Sequence, residues 1–99
     1  MRSKDVQRVL DRGRKVHGTR VVVFLAPGTG QVAVVASRRV GGAVERNRAR
    51  RILRTAWREI AAPSGYDAVL VAREAVRGAH PQELMSEMSS LLRREGVTP

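Results

Sequence analysis

Ninety-nine residues give room for one compact domain, taken here as residues 1–99. Hydrophobic residues make up 42% of the chain, too many for a disordered tail, and 19 Lys and Arg against 9 Asp and Glu leave a formal net charge of +10. A domain so charged repels itself and attracts polyanions; without a cysteine it has no disulfide frame, thiolate metal site or cysteine nucleophile. No apolar run approaches the roughly 20 residues that span a bilayer, and the opening MRSKDVQRVLDRGRK has no apolar signal-peptide core. The expectation is an intracellular, cytoplasmic protein with no membrane partner.

Ser3 to Arg12 carries Val6, Val9 and Leu10 at helical spacing, with Ser3 as the expected cap and Gly13 as a left-handed stop. A short strand near Val16 is optional. Arg20 to Ala26 (RVVVFLA) is β-branched and aromatic, Pro27-Gly28-Thr29-Gly30 is turn chemistry, and Gln31 to Ser37 (QVAVVAS) reads as a returning strand. Those two strands are expected to pair as an antiparallel hairpin. After Gly41-Gly42 a helical pattern runs from Ala43 to Ala61 and stops before Pro63-Ser64-Gly65. Tyr66 to Ala72 (YDAVLVA) is a further strand. A last helix fits Pro81 to Glu95, with Leu84, Met85, Met88, Leu91 and Leu92 on one stripe and Gly96 at its end. The order α-β-β-(β)-α-β-α predicts an α+β fold, a compact α-β sandwich with helices covering one face of a small, mostly antiparallel sheet.

The informative segment is Val44 to Ile60, VERNRARRILRTAWREI. Wound as a helix, it gathers Ala49, Ile52, Leu53, Ala56 and Ile60 within an arc of roughly 100°, with Trp57 at the border. Arg46, Arg50, Arg54 and Arg58 form an i, i+4 ladder beside that arc, and Asn47, Arg48 and Arg51 widen the polar surface. No acid lies between Arg46 and Arg58. A solvated structural face normally mixes signs to gain from pairing, whereas like charges at this spacing repel by a few tenths of a kcal/mol per pair. An external anion relieves that repulsion. Guanidinium forks bind phosphate bidentately and shed water readily, so a nucleic acid is the partner indicated. Arg38 and Arg39 add charge where the chain enters the helix. A GC-rich coding sequence also inflates Arg, Ala, Gly and Val, but such bias does not strip acids from one surface.

Base-by-base stacking is not expected to dominate, because the chain has one Phe, one Tyr and one Trp. Trp57 reads as core and Tyr66 as core or interface anchor; Phe24 shares a strand face with Val22 and is open to either a packing or a stacking role. Catalytic machinery is not assembled either. His17 falls in a loop, His80 stands just before the last helix in a capping position, and the acids are scattered singly, without the clustered carboxylates of metal-dependent nucleases. The expectation is no catalytic residue and no metal held by the protein alone.

Ser37-Arg38-Arg39-Val40-Gly41 followed by Ala43-Val44-Glu45-Arg46-Asn47-Arg48-Ala49-Arg50-Arg51-Ile52-Leu53-Arg54 closely resembles the signature of the bacterial ribonuclease P protein subunit, in which a basic S-[KR]-[KR]-x-G turn leads into a helix carrying R-N-R-x-[KR]-R. Asp5 to Gly13 is similar to that family's first helix and glycine, and Tyr66 to Arg73 to its last strand. The resemblance implies a β-α-β crossover, left-handed in the family, that carries the basic helix. It implies binding to a large catalytic RNA and to precursor tRNA, with removal of the 5′ leader by chemistry that depends on Mg2+ held mainly by the RNA. Arg38, Arg39, Arg46, Asn47, Arg48, Arg50, Arg51 and Arg54 then become RNA-binding residues, and Val6, Leu10 and Phe24 fall in the leader cleft between the first helix and the sheet. Val6 and Leu10 replace Phe, a departure that implies weaker stacking. The free protein is expected to be monomeric. Two other readings stay open on the residues alone: a ribosomal or general RNA-binding module with no role in cleavage, which shares the charge pattern but not the motif, and a standalone metal-dependent nuclease.

Overall fold

The computed structural model describes residues 1–60 and 62–97. In chain order it contains α1 (Ser3–Arg12), β1 (Arg14–His17), β2 (Val21–Pro27), β3 (Val32–Val35), α2 (Ala43–Glu59), β4 (Tyr66–Ala72), a 3-10 turn (Glu74–Val76) and α3 (Pro81–Arg94). The optional strand around Val16 is present as β1. Ala61, the expected last residue of the basic helix, lies outside the described residues.

The four strands lie in the order β1-β2-β4-β3. β2 pairs antiparallel with β1 (Val16 opposite Val23) and with β4 (Val23 opposite Leu70), while β3 pairs parallel with β4 (Val34 opposite Leu70). The expected β2–β3 hairpin does not form. Its turn folds around the carboxylate of Asp67, which accepts the backbone N–H groups of Thr29, Gly30 and Gln31 at 3.1, 3.1 and 2.9 Å. β4 is thereby placed between the strands that sequence order made look like neighbours. Its apolar character suits a central position, since residues 67–70 are all buried, whereas β1 is exposed except at Val16. The returning strand is also shorter than QVAVVAS suggests: pairing stops at Val35, and Ser37 already belongs to the turn before α2.

Helices cover both sheet faces, not one. The main core lies on one side, where Val21, Val23, Leu25, Val34, Ala68 and Leu70 meet Leu53, Ala56 and Trp57 of α2 and Leu84, Met88 and Leu91 of α3. Leu53, Leu70, Leu84 and Met88 are fully buried there, each contributing about 2–3 kcal/mol of hydrophobic stabilisation. α1 packs on the opposite side, where Val9 joins Ala26 and Val69 in a smaller cluster bordered by Val6, Leu10, Phe24, Ala33 and Val71. The 3.6-residue stripe on α1 reveals its apolar side but not which sheet face receives it.

Both ends of α1 differ from expectation. Ser3 is the first helical residue rather than its cap, and Arg2 precedes the helix without a side-chain capping bond. Gly13 is extended, at φ −75°, so it is not a left-handed stop. A Cβ there would lie 2.8 Å from the Leu25 carbonyl oxygen, so glycine serves close approach between the helix end and β2. α3 begins with Pro81 in the first turn as expected, where its missing N–H costs nothing. It is tied to β2 by Arg20, whose guanidinium bonds Glu83 at 2.9 Å and Glu87 at 3.1 Å. Glu83 also accepts the His80 N–H at 2.9 Å. That bond, with the charges of Arg20 and His80 and against partial desolvation, holds the Glu83 carboxyl below its ordinary pKa.

Candidate nucleic-acid interface

α2 connects the parallel strands β3 and β4, so the basic helix rides on a β-α-β crossover. The chain enters it through a turn fixed by three bonds: Val40 N–H to the Ser37 carbonyl (3.1 Å), Gly41 N–H to the Arg38 carbonyl (3.1 Å), and Arg39 N–H to Ser37 Oγ (3.3 Å). Val40 is fully buried and anchors the turn, while Arg38 and Arg39 on its shoulder are exposed. Gly41 takes φ +144°, a conformation that few side chains tolerate.

The helix divides as its periodicity predicts. Ala49, Leu53, Ala56 and Trp57 are buried, and Ile52 and Ile60 pack against them. Asn47, Arg48, Arg51, Arg54 and Arg58 are exposed; Arg46 and Arg50 are half-buried along the border. Among the described residues, every ion pair within 4.0 Å belongs to Arg8, Arg20 or Arg77. Among the described residues, no arginine of α2 or of the preceding turn has such a partner. Arg50 donates to Asn47 Oδ1 at 2.7 Å, a neutral acceptor that orients the guanidinium without cancelling its charge. Glu45, the acid in the first turn, faces Arg77 at 3.9 Å. The structure therefore brings together the residues of the basic motif as one uncompensated cationic flank, continuous with the Arg38-Arg39 turn.

The three cleft candidates also converge, on the other side of the sheet. Val6 and Leu10 of α1 and Phe24 of β2 are all half-buried around Val9, Ala26 and Val69. Alternation along β2 puts Phe24 on this side and Val21, Val23 and Leu25 in the main core, as the strand pattern predicts. The Lys15 ammonium lies 5.7 Å from the centre of the Phe24 ring, within cation–π range.

Sequence reasoning missed what holds α1 at this face. Arg8 donates to Asp67 Oδ2 at 2.6 Å and to the Pro27 carbonyl at 3.2 Å. Asp67 is only 2% exposed. Desolvation pushes its carboxyl pKa up, but the N–H of Gln31, the Arg8 guanidinium and the N–H groups of Thr29 and Gly30 together outweigh burial and hold it below the usual value of 3.8. The available signal was an acid inside the apolar run YDAVLVA; its partners lie 36 to 59 residues away and no local pattern names them. Among the described residues no three His, Asp or Glu side chains converge into a set that could hold a metal ion. Nor is any helix among the described residues long and apolar enough to cross a membrane.

Comparison with known proteins agrees with this arrangement. A family model described as Ribonuclease P matches residues 1–96. The ribonuclease P protein component of Acidothermus cellulolyticus is 43% identical over 101 residues, spanning 94% of this chain and 83% of that protein. That of Pelotomaculum thermopropionicum is 35% identical over 101 residues, spanning 97% and 90%. Among solved structures, the RNase P protein from Thermotoga maritima superposes with a TM-score of 0.82 at 21% identity, covering 95% of this chain and 94% of that one. The Staphylococcus aureus RNase P protein gives 0.81 at 19% identity, covering 100% and 95%. The two solved structures speak for the fold, and the family model and sequence relatives for descent: this chain belongs to the ribonuclease P protein family and is the protein subunit of that RNA-processing enzyme.

Proposed function

We propose that the chain binds the catalytic RNA through Arg38, Arg39, Arg46, Asn47, Arg48, Arg50, Arg51 and Arg54, and holds the 5′ leader of precursor tRNA in the cleft between α1 and the sheet. The holoenzyme then hydrolyses the precursor to free the mature tRNA 5′ end, in the cytoplasm where bacterial tRNA is made. The single observation that carries this reading is the cationic flank of α2, none of whose arginines has a carboxylate within 4.0 Å among the described residues. Phosphates supply the missing counter-charge, and binding gains further from release of the ions condensed on the RNA. Magnesium, bound mainly by the RNA, supplies the hydrolytic chemistry. The protein's most buried acids are engaged in structure: Asp67 with Arg8 and three amides, and Glu87, together with the more exposed Glu83, with Arg20. In this reading the protein alone does not cleave. A monomeric free state is supported by how few large apolar residues are exposed among those described: Met1, Val35 and Val44.

The test is reconstitution. The purified chain, mixed with a bacterial ribonuclease P RNA at low magnesium, is expected to stimulate precursor tRNA cleavage and to cleave nothing by itself. Failure to stimulate overturns the assignment, and cleavage by the protein alone overturns the division of labour.

A further inference from the structure

Lys15 and Phe24 are register partners on β1 and β2. Both project from the sheet face that α2 and α3 leave open, because Val16, next along the strand, is buried in the main core. The ammonium stands 5.7 Å from the ring centre, and Lys15 is exposed with no carboxylate within 4.0 Å among the described residues. Two nearby cations are already committed: Arg8 to Asp67 and the Pro27 carbonyl, Arg14 to the Glu95 carbonyl at 3.1 Å. Lys15 is held only by a ring face, a weak anchor for a full charge beside water.

Resting on the leader-cleft reading above, in which Phe24 already meets an unpaired base of the 5′ leader, we propose that Lys15 is a further leader contact: it swings off the ring to pair with the phosphate adjoining that base. The occupant is single-stranded. A paired helix keeps its base faces stacked inside and cannot offer one to the ring, whereas stacking on an aromatic beside a cation suits any unpaired nucleotide. The facing wall strengthens the point: Val6 and Leu10 are aliphatic, so no second ring sandwiches the base and the phosphate contact carries more of the affinity. This chain therefore trades stacking for charge in its cleft, which makes leader recognition tolerant of base identity and sensitive to salt.

A lysine on an edge strand also discourages pairing with other sheets. That role alone leaves RNA affinity untouched, so binding measurements separate the two. The holoenzyme is assembled with the natural chain, Lys15→Ala, Lys15→Arg and Phe24→Leu. Its affinity is measured, under conditions that permit binding but not cleavage, for precursor tRNA with a long leader and for mature tRNA. Lys15→Ala is expected to weaken long-leader binding about threefold to tenfold, to leave mature tRNA unaffected, and to make the log–log salt slope shallower by about 0.7, one phosphate on a single strand. Lys15→Arg restores most of the affinity. If Phe24→Leu weakens long-leader binding and Lys15→Ala does not, the nucleotide contact is wrong and the leader cleft stands. If neither variant changes it, the cleft reading fails as well. Equal loss on both substrates places Lys15 against the tRNA body or the catalytic RNA and overturns the proposal.

Discussion

Arginines meet two different fates in this molecule. Arg8 reaches a buried carboxylate and a backbone carbonyl, and Arg20 bridges two glutamates of α3; both cations fasten a helix to the sheet. Along α2 the same side chain recurs without any acid in reach among the described residues. The contrast shows how a strongly basic chain can fold at all. Asp67, Glu83 and Glu87 are placed where a cation serves as a structural tie, and the densest run of unpaired cations lies along one helix whose opposite side is well buried. Charges with partners hold the fold; those along α2 are left unpaired among the described residues.

The sharpest way to break that comparison is at Asp67. Asp67→Ala strands Arg8 and three backbone amides, and is expected to cost about 3 kcal/mol. Thermal unfolding should show this as a fall in Tm of about 10–20 °C for a domain of this size. Acid probes the same tie. Because folding lowers the Asp67 pKa below 3.8, its contribution is fully present at pH values above the unfolded carboxyl's titration and is lost as pH falls through the lowered folded value. Unfolding monitored by circular dichroism should therefore sharpen below about pH 4 in the natural chain, and Asp67→Asn should flatten that limb. Stability unchanged by either substitution would mean that the tie is ornamental.

Substitutions on α2 should reverse the pattern. Arg51→Ala and Arg54→Ala remove exposed, unpaired charges, so stability should stay within about 0.5 kcal/mol of the natural chain. Affinity for the catalytic RNA should drop about threefold to tenfold, or roughly 0.7–1.4 kcal/mol. For about five phosphate contacts the log–log salt slope lies near −3.5 to −4.5, and each substitution should make it shallower by about 0.7–0.9. The smallest expected effect is at the start of α1. A capping serine typically loses about 1 kcal/mol on truncation to alanine, but Ser3 lies inside the helix. Ser3→Ala should leave Tm within a degree or two, and a larger loss would restore Ser3 as the cap.

Much of the fold is legible because most elements announce themselves locally. The limits of β4, the start of α2 after two glycines, and Pro81 at the head of α3 follow from patterns within a few residues of each other, and the buried arc of α2 follows from periodicity. The misread features depend on distant partners. Pro27-Gly28-Thr29-Gly30 between two β-branched runs has the local look of a hairpin; only the carboxylate of Asp67, 36 to 38 residues further on, shows that the turn closes around another strand. Gly13 ends α1 as its position suggests, but its extended backbone and tight fit against β2 show only once that strand lies beside it. The basic motif is legible because it is contiguous on one helix, whereas the α1 cleft needs three separate elements, and Lys15 gains meaning only from its register with Phe24.

One consequence of the strand order concerns synthesis. Val32 pairs with Ala68, so β3 gains its neighbour only after the helix between them has been made. A ribosome that has not yet reached Ala72 carries an emerging polycation whose apolar side has only the β1–β2 pair to close upon, in a cell crowded with RNA. Assembly of the subunit must wait for the last strand, and non-local closure of this kind is slow. The order of translation thus places completion of the sheet after the whole basic helix has been made.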